Sequence, residues 1–327
     1  MPQPLPVVAV LCETPDQRPP HLGALQGRVE LRFTDAAGLA EAVTGARALF
    51  LWDFFSTALA NVWESCAELE WVHVAAAGVD TLMFEDLRAS DVTVTNARGT
   101  FDRPIAEFVL ASVLAHAKLL HESHDLQRRR AWLHRETHAL AGTRALVVGT
   151  GAIGREVARL LRAVGMEVRG AGRAARSDDP DFADVVASDT LAEHVGWCDY
   201  LVNAAPLTPA TRGLIGARVL EGMRPSAHLV NVGRGATVVE ADLVQALASG
   251  TINGASLDVF EVEPLPSDSP LWDAPGCVIS AHMSGDVVGW RETLARQFVA
   301  NAERWLAGAP LSNVVDKQLG YVPGGAR

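Results

Sequence analysis

A chain of 327 residues is long enough for about two domains, and 49% hydrophobic against 20% charged residues leaves ample material for a core. The net charge of −11, with no basic block beyond Arg128–Arg130, argues against nucleic acid or an anionic membrane surface as the main partner. Cys12, Cys66, Cys198 and Cys277 are scattered without a C-x-x-C pair, which reads as reduced, mostly buried thiols of a cytoplasmic protein.

The start, Met1–Pro6, has no basic segment leading into an apolar one, so no secretory leader is expected, and no apolar run is long enough to span a membrane. Pro6–Cys12 reads as a buried strand and Thr14–Pro20 as a Pro-rich loop. Strands follow at Arg28–Phe33, Ala46–Trp52, Leu69–Val74 and Val92–Thr95, with a short helix at Ala36–Val43. This alternation of strands and helices is an α/β pattern. Two loops leave strand C-termini, where open α/β sheets bind ligands. Ala75–Asp80 holds Ala76, Ala77 and Gly78, whose backbone N–H groups suit a carboxylate, although a plain tight turn has the same composition. Trp52–Phe55 carries aromatics that would wall a pocket or fill core, and core is the expectation.

Thr100–Glu122 is expected to be one long helix, with Pro104 near its start, where a missing N–H costs little. His134 and His138 are four apart, but no H-E-x-x-H completes a metal motif, so the histidines from His116 to His138 read as solvated or packing residues.

Ala145–Val148 is an apolar strand running straight into Gly149–Thr–Gly151–Ala152–Ile153–Gly154. The apolar residues Val157, Leu160, Leu161 and Val164 follow at helical spacing, and Gly165 can end that helix. A G-x-G-x-x-G between a buried strand and a helix is a dinucleotide site. Gly149 permits the turn, Gly151 lets backbone approach a pyrophosphate, and Gly154 lets helix and strand pack closely. The next strand, Glu167–Ala171, ends without the acid that would bind the adenosine ribose of NAD. Arg173, Arg176 and Ser177 stand there instead, which suits the 2′-phosphate of NADP, with NAD as the second choice.

Four further strands, Tyr200–Ala204, Ala227–Val232, Ala255–Val259 and Val278–Ser280, end in Ala205–Pro206, Gly233–Arg234, Phe260–Glu263 and Ala281–Gly285. Neighbouring tips of a parallel sheet lie side by side, so Arg234, Asp258, Glu263 and His282 are expected to converge.

At these residues the chain resembles the D-isomer-specific 2-hydroxyacid dehydrogenase family. The resemblance spans nearly the whole sequence and rests on Pro206–Leu–Thr208, Asn231–Val–Gly–Arg–Gly235, Leu257–Leu265, His282, and Asn96–Gly99 followed by Ala106–Glu107. It implies two doubly wound parallel-sheet domains with a cleft between. A flavodoxin-like substrate domain would comprise residues 1–98 and 288–327, and a Rossmann dinucleotide-binding domain residues 99–287. It also implies a homodimer formed largely through the nucleotide domain. His282 would be the general acid, and Glu263 would favour its imidazolium form. Arg234 would bind and polarise the 2-oxo acid, and Asp258 would face the nicotinamide. Ala205, Pro206, Val232, Gly233, Arg234, His282, Ser284 and Gly285 would line the cofactor, and Trp52, Ala76, Ala77 and Gly78 would join Arg234 and His282 around the substrate. Ala281 stands where many members have Pro, and Glu263 where related formate dehydrogenases have Gln.

The Gly–Arg after the second nucleotide strand is similar to that of NADP-using glyoxylate and hydroxypyruvate reductases. The expected activity is hydride transfer from NADPH to a small 2-oxo acid, giving the D-2-hydroxy acid. A bulkier 2-oxo acid lined by Phe54, Phe55 and Met283, or a nucleotide-sensing corepressor-like role without turnover, are the alternatives.

Overall fold

The structure is a computed structural model and describes residues 4–323. The first three residues of the start read for a leader, and the last four of the C-terminal segment, lie outside the described residues. The chain forms two compact units, Met1–Phe101 with Val287–Arg327, and Asp102–Asp286.

In the first unit, β1 (Val7–Leu11), β2 (Glu30–Thr34), β3 (Ala48–Leu51), β4 (Trp71–Val74) and β5 (Thr93–Thr95) form a parallel sheet of order β2-β1-β3-β4-β5. Short helices α1 (Leu39–Val43), α2 (Ala58–Asn61) and α3 (Glu85–Ala89) lie between strands. β3 and β4 are buried at every position, as expected of parallel strands covered on both faces. The order reverses between β1 and β3, which makes the tips of those strands the switch point of this sheet. Trp52 follows β3 and is only 7% exposed. Phe55 departs from the expectation of core: it is 59% exposed, with its ring against Phe54.

The second unit opens with α4 (Asp102–Ala117) and α5 (Leu120–Arg128), where a single helix was expected. Leu119 breaks it by taking φ +51. Its N–H closes α4 on the His116 carbonyl, and its own carbonyl accepts from Arg135. The same carbonyl accepts from the N–H and hydroxyl of Ser123, so Leu119 ends α4 and begins α5. Among the described residues no single helix is long and apolar enough to cross a membrane.

The large sheet then runs through β6 (Arg144–Val148), β7 (Glu167–Gly172), β8 (Arg176–Asp179), β9 (Ala183–Ala187), β10 (Tyr200–Asn203), β11 (His228–Asn231), β12 (Gly254–Leu257) and β13 (Cys277–Ile279). Its order is β13-β12-β11-β10-β6-β7-β9-β8, parallel except for β8 against β9. The chain moves outward from β6 through β7 to β9 and then crosses to β10, so β6 is the switch point. Helices α6 (Ala152–Ala163), α7 (Ala217–Gly222) and α8 (Glu240–Ser249) complete this unit. α9 (Trp290–Leu306) belongs to the first unit, where Phe298 stacks on Phe50 at 4.0 Å and on Trp71 at 5.4 Å.

Candidate active site

The site begins where β6 turns into α6. Gly149 has φ +99, and a Cβ there would lie 2.6 Å from the Ala204 carbonyl oxygen. At Gly154 a Cβ would lie 1.8 Å from the Gly149 carbonyl oxygen, so helix and turn can approach only without one. Gly151, the N-cap of α6, differs: a Cβ there would meet no heavy atom within 4 Å, and no side chain caps the helix. Two glycines close the turn tightly, and the third, with Ala152 and Ile153 beginning the helix, leaves an open cradle at a helix N-terminus. That cradle fits the pyrophosphate of a dinucleotide.

Beyond β7, Arg173 and Arg176 are exposed. Arg176 donates to the buried Asp179 at 2.9 Å. Asp179 also takes a two-nitrogen contact from Arg155, at 2.8 and 2.9 Å. Arg155 and Arg159 both reach Asp181. The Arg155 hydrogen bond, with help from Arg176 and the Asp181 N–H, outweighs burial and holds the Asp179 carboxyl well below the usual carboxylate range. Arg176 is thus engaged within the fold, and Asp179, which the sequence reading passed over, organises β8.

The tips of β10 and β11 are tied by buried polar side chains. Asn203 donates to Asn231 Oδ1 at 2.8 Å and to Thr237 Oγ1 at 2.6 Å, and its own Oδ1 accepts from the Ala205 N–H at 3.3 Å. Asn231 Oδ1 also accepts from the Gly233 N–H. Val232 and Gly233 are buried, Pro206 is exposed, and Arg234 is half-buried, with Nη1 donating to the Gly233 carbonyl at 2.9 Å.

Asp258, at the tip of β12, is fully buried. Its carboxylate accepts from Ser280 Oγ at 2.6 Å and from the N–H groups of Met283 and Ser284 at 2.9 Å each. Its carbonyl accepts the His282 N–H at 2.9 Å. The resemblance implied that Asp258 faces a nicotinamide. In the structure its carboxylate holds the loop that follows β13, and Ser280 is the partner that the sequence reading missed. This grip sustains His282 at φ +49, a left-handed conformation that a side-chain-bearing residue seldom adopts.

His282 Nδ1 lies 2.6 Å from Glu263 Oε2, and Glu263 Oε1 accepts the Phe260 N–H at 2.9 Å. Burial pushes the Glu263 carboxyl up, but the His282 hydrogen bond, the Phe260 N–H and the charges of His282 and Arg234 more than offset this and leave it below its ordinary value. An ionised Glu263 can only accept, so His282 Nδ1 carries the proton of that bond. The side chains remain accessible, 32% exposed for His282 and 28% for Glu263. The sheet order sets β11, β12 and β13 side by side, which brings the loops of Arg234, Asp258, Glu263 and His282 to one edge. Ser284 and Gly285 are buried behind them.

The family model described as D-isomer specific 2-hydroxyacid dehydrogenase, NAD binding domain, matches residues 110–284. The chain belongs to the D-isomer specific 2-hydroxyacid dehydrogenase family. It is an oxidoreductase. A glyoxylate/hydroxypyruvate reductase A of Serratia proteamaculans is 31% identical over 77% of this chain and 82% of that protein. A glycerate dehydrogenase of Methylorubrum extorquens is 31% identical over 79% of this chain and 82% of that one. Among solved structures, the NADPH-dependent glyoxylate/hydroxypyruvate reductase of Sinorhizobium meliloti, in complex with NADP and sulfate, has a TM-score of 0.84 and 27% identity, covering 97% of this chain and all (100%) of that one.

In this 2-hydroxyacid dehydrogenase, Trp52, Ala76, Ala77 and Gly78 follow β3 and β4, which are adjacent in the sheet of the first unit. Ala76, Ala77 and Gly78 are half-buried. The histidines sort differently. The His116 ring stacks on His228 at 4.1 Å and bonds Asn253 at 2.9 Å and Tyr200 at 3.2 Å, so it is a packed residue at the N-terminal ends of β10 and β11, away from the reactive tips.

Proposed function

We propose that the protein reduces a small 2-oxo acid of the glyoxylate or hydroxypyruvate type to the D-2-hydroxy acid, with NADPH as reductant. The observation that carries this reading is the ionised Glu263 on His282 Nδ1, beside Arg234, in the unit that holds the glycine cradle. Bound there, the nicotinamide supplies the hydride. Gly149 to Gly154 would hold its pyrophosphate, and Ala205, Pro206, Val232, Gly233, Ser284 and Gly285 would line the rest of it.

The chain's own residues do the remaining work. Arg234 holds the substrate carboxylate and carbonyl oxygen and places positive charge where the alkoxide develops. With Nδ1 engaged by Glu263, His282 Nε2 delivers the proton to that oxygen, and Glu263 stabilises the imidazolium that must be present beforehand. The N–H groups of Ala76, Ala77 and Gly78 are the proposed carboxylate-binding groups of the first unit, with Trp52 at the same sheet edge. Asp258 acts from beneath, by fixing the His282 loop.

Support for the substrate class and for NADP comes from the names of the relatives above and from Arg173. Arg176 already donates to Asp179 within the fold. Homodimerisation through the second unit and a cytoplasmic location belong to the same proposal, and the four free thiols accord with the latter.

The test is loss of reduced-nicotinamide absorbance with glyoxylate, hydroxypyruvate, pyruvate and phenylpyruvate, using NADPH and then NADH. Turnover favouring NADPH and the small acids is expected. His282→Ala should lower kcat by at least about a hundredfold while NADPH binding persists; unchanged kcat would remove His282 from the mechanism. Arg173→Ala should raise the KM for NADPH by about tenfold or more and leave that for NADH unchanged. Equal losses for both would reject the phosphate assignment.

A further inference from the structure

The carbonyl of Arg234 is the convergence point of three donors. Thr237 supplies two of them, its hydroxyl and its N–H at 3.1 Å, and Asn231 Nδ2 the third at 3.4 Å. Thr237 is fully buried. Its hydroxyl gives its one proton to Arg234 and receives a proton from Asn203 Nδ2. Asn203, also fully buried, spends its other amide proton on Asn231 and its carbonyl oxygen on the Ala205 N–H. Every donor and acceptor in the chain from Ala205 to Arg234 is therefore assigned, with one arrangement of protons. Such a chain defines the backbone from which the Arg234 side chain projects. It begins at the loop that would line the cofactor and ends at the residue that would hold the substrate.

We propose that Asn203 and Thr237 are positioning residues for Arg234, fixing its backbone for the 2-oxo acid and coupling it to the Ala205 loop. The proposal rests on the role given to Arg234 above. Neither residue touches substrate. A guanidinium displaced by about an ångström loses most of its advantage at the transition state, a loss of about a hundredfold in the extreme. A Val in place of Thr237 fills the same volume, yet it gives Arg234 no hydroxyl and leaves an Asn203 proton without an acceptor.

The experiment compares Thr237→Val and Thr237→Ser with the wild type in the glyoxylate assay, with NADPH affinity measured separately by fluorescence. Thr237→Val should lower kcat/KM for the oxo acid by about ten- to a hundredfold, with KM raised and kcat reduced, while NADPH affinity stays close to the wild type and Tm falls by a few degrees for the unpaired Asn203 proton. Thr237→Ser, which keeps the hydroxyl, should recover most of the activity. In an Arg234→Lys background the Val substitution should cost little more, because the group that it positions has changed. Full kcat/KM in Thr237→Val would overturn the proposal, as would an equal cost in both backgrounds or a loss confined to NADPH affinity. If Thr237→Val fails to fold, Thr237→Ala against Thr237→Ser asks the same question. A wild type without turnover of any 2-oxo acid would instead refute the proposed function, which separates the two failures.

Discussion

At the scale of single residues, the chemistry depends on which partner each charged group receives. Glu263 is ionised because His282, the Phe260 N–H and nearby positive charge outweigh its burial. Glu263→Gln keeps a hydrogen-bonding group at this position but removes the charge that stabilises the imidazolium. Reductive kcat should fall by about tenfold or more, with NADPH affinity unchanged. Steady-state kinetics of both proteins check this; an unchanged kcat would mean that the Glu263 charge has no part in the reaction. Asp258 teaches the converse lesson. An acid that looks available for a ligand also accepts from Ser280 and two backbone N–H groups, and so holds the loop that follows β13.

At the scale of elements, β8 shows how an ion network can make a strand from a sequence without strand character. Arg–Ser–Asp–Asp has no apolar alternation, and it pairs with β9 because Asp179 and Asp181 gather Arg155, Arg159 and Arg176. The Asp179 carboxyl is held below its ordinary value of 3.8. A depressed carboxylate gives stability that is complete above the unfolded-state value and is lost as pH falls through the folded one. The Tm advantage of the wild type over Asp179→Asn should therefore be largest at about pH 6 and shrink at about pH 3. A constant difference would show that the network adds nothing dependent on charge.

At the scale of the whole chain, the first unit is assembled from both ends of the sequence. Phe298 on the returning α9 is fully buried, stacked on Phe50 and Trp71 from β3 and β4. Phe298→Ala should destabilise that unit by about 3–5 kcal/mol, since it leaves a cavity where two stacking contacts stood. Calorimetry should show its transition moving down, with that of the second unit little changed. A single unshifted transition would contradict the role of α9 as the closing element.

The strands of both sheets other than β8 and β9 were legible in the sequence because buried parallel strands are short apolar runs, as in Ala145–Val148 and Tyr200–Asn203. The glycine turn was legible because Gly149 and Gly154 answer steric demands and Gly151 leaves the helix N-terminus open. The candidates Arg234, Glu263 and His282 were legible because strand tips are where α/β sheets carry chemistry. What the sequence could not reveal was how polar groups are shared. The packing of His116 on His228 and the engagement of Asp258 depend on partners far along the chain, and β8 with Arg176 depends on Asp179, which Arg155 from α6 holds in place. Local pattern encodes burial and backbone shape, whereas the pairing of donors with acceptors is settled only when distant segments meet.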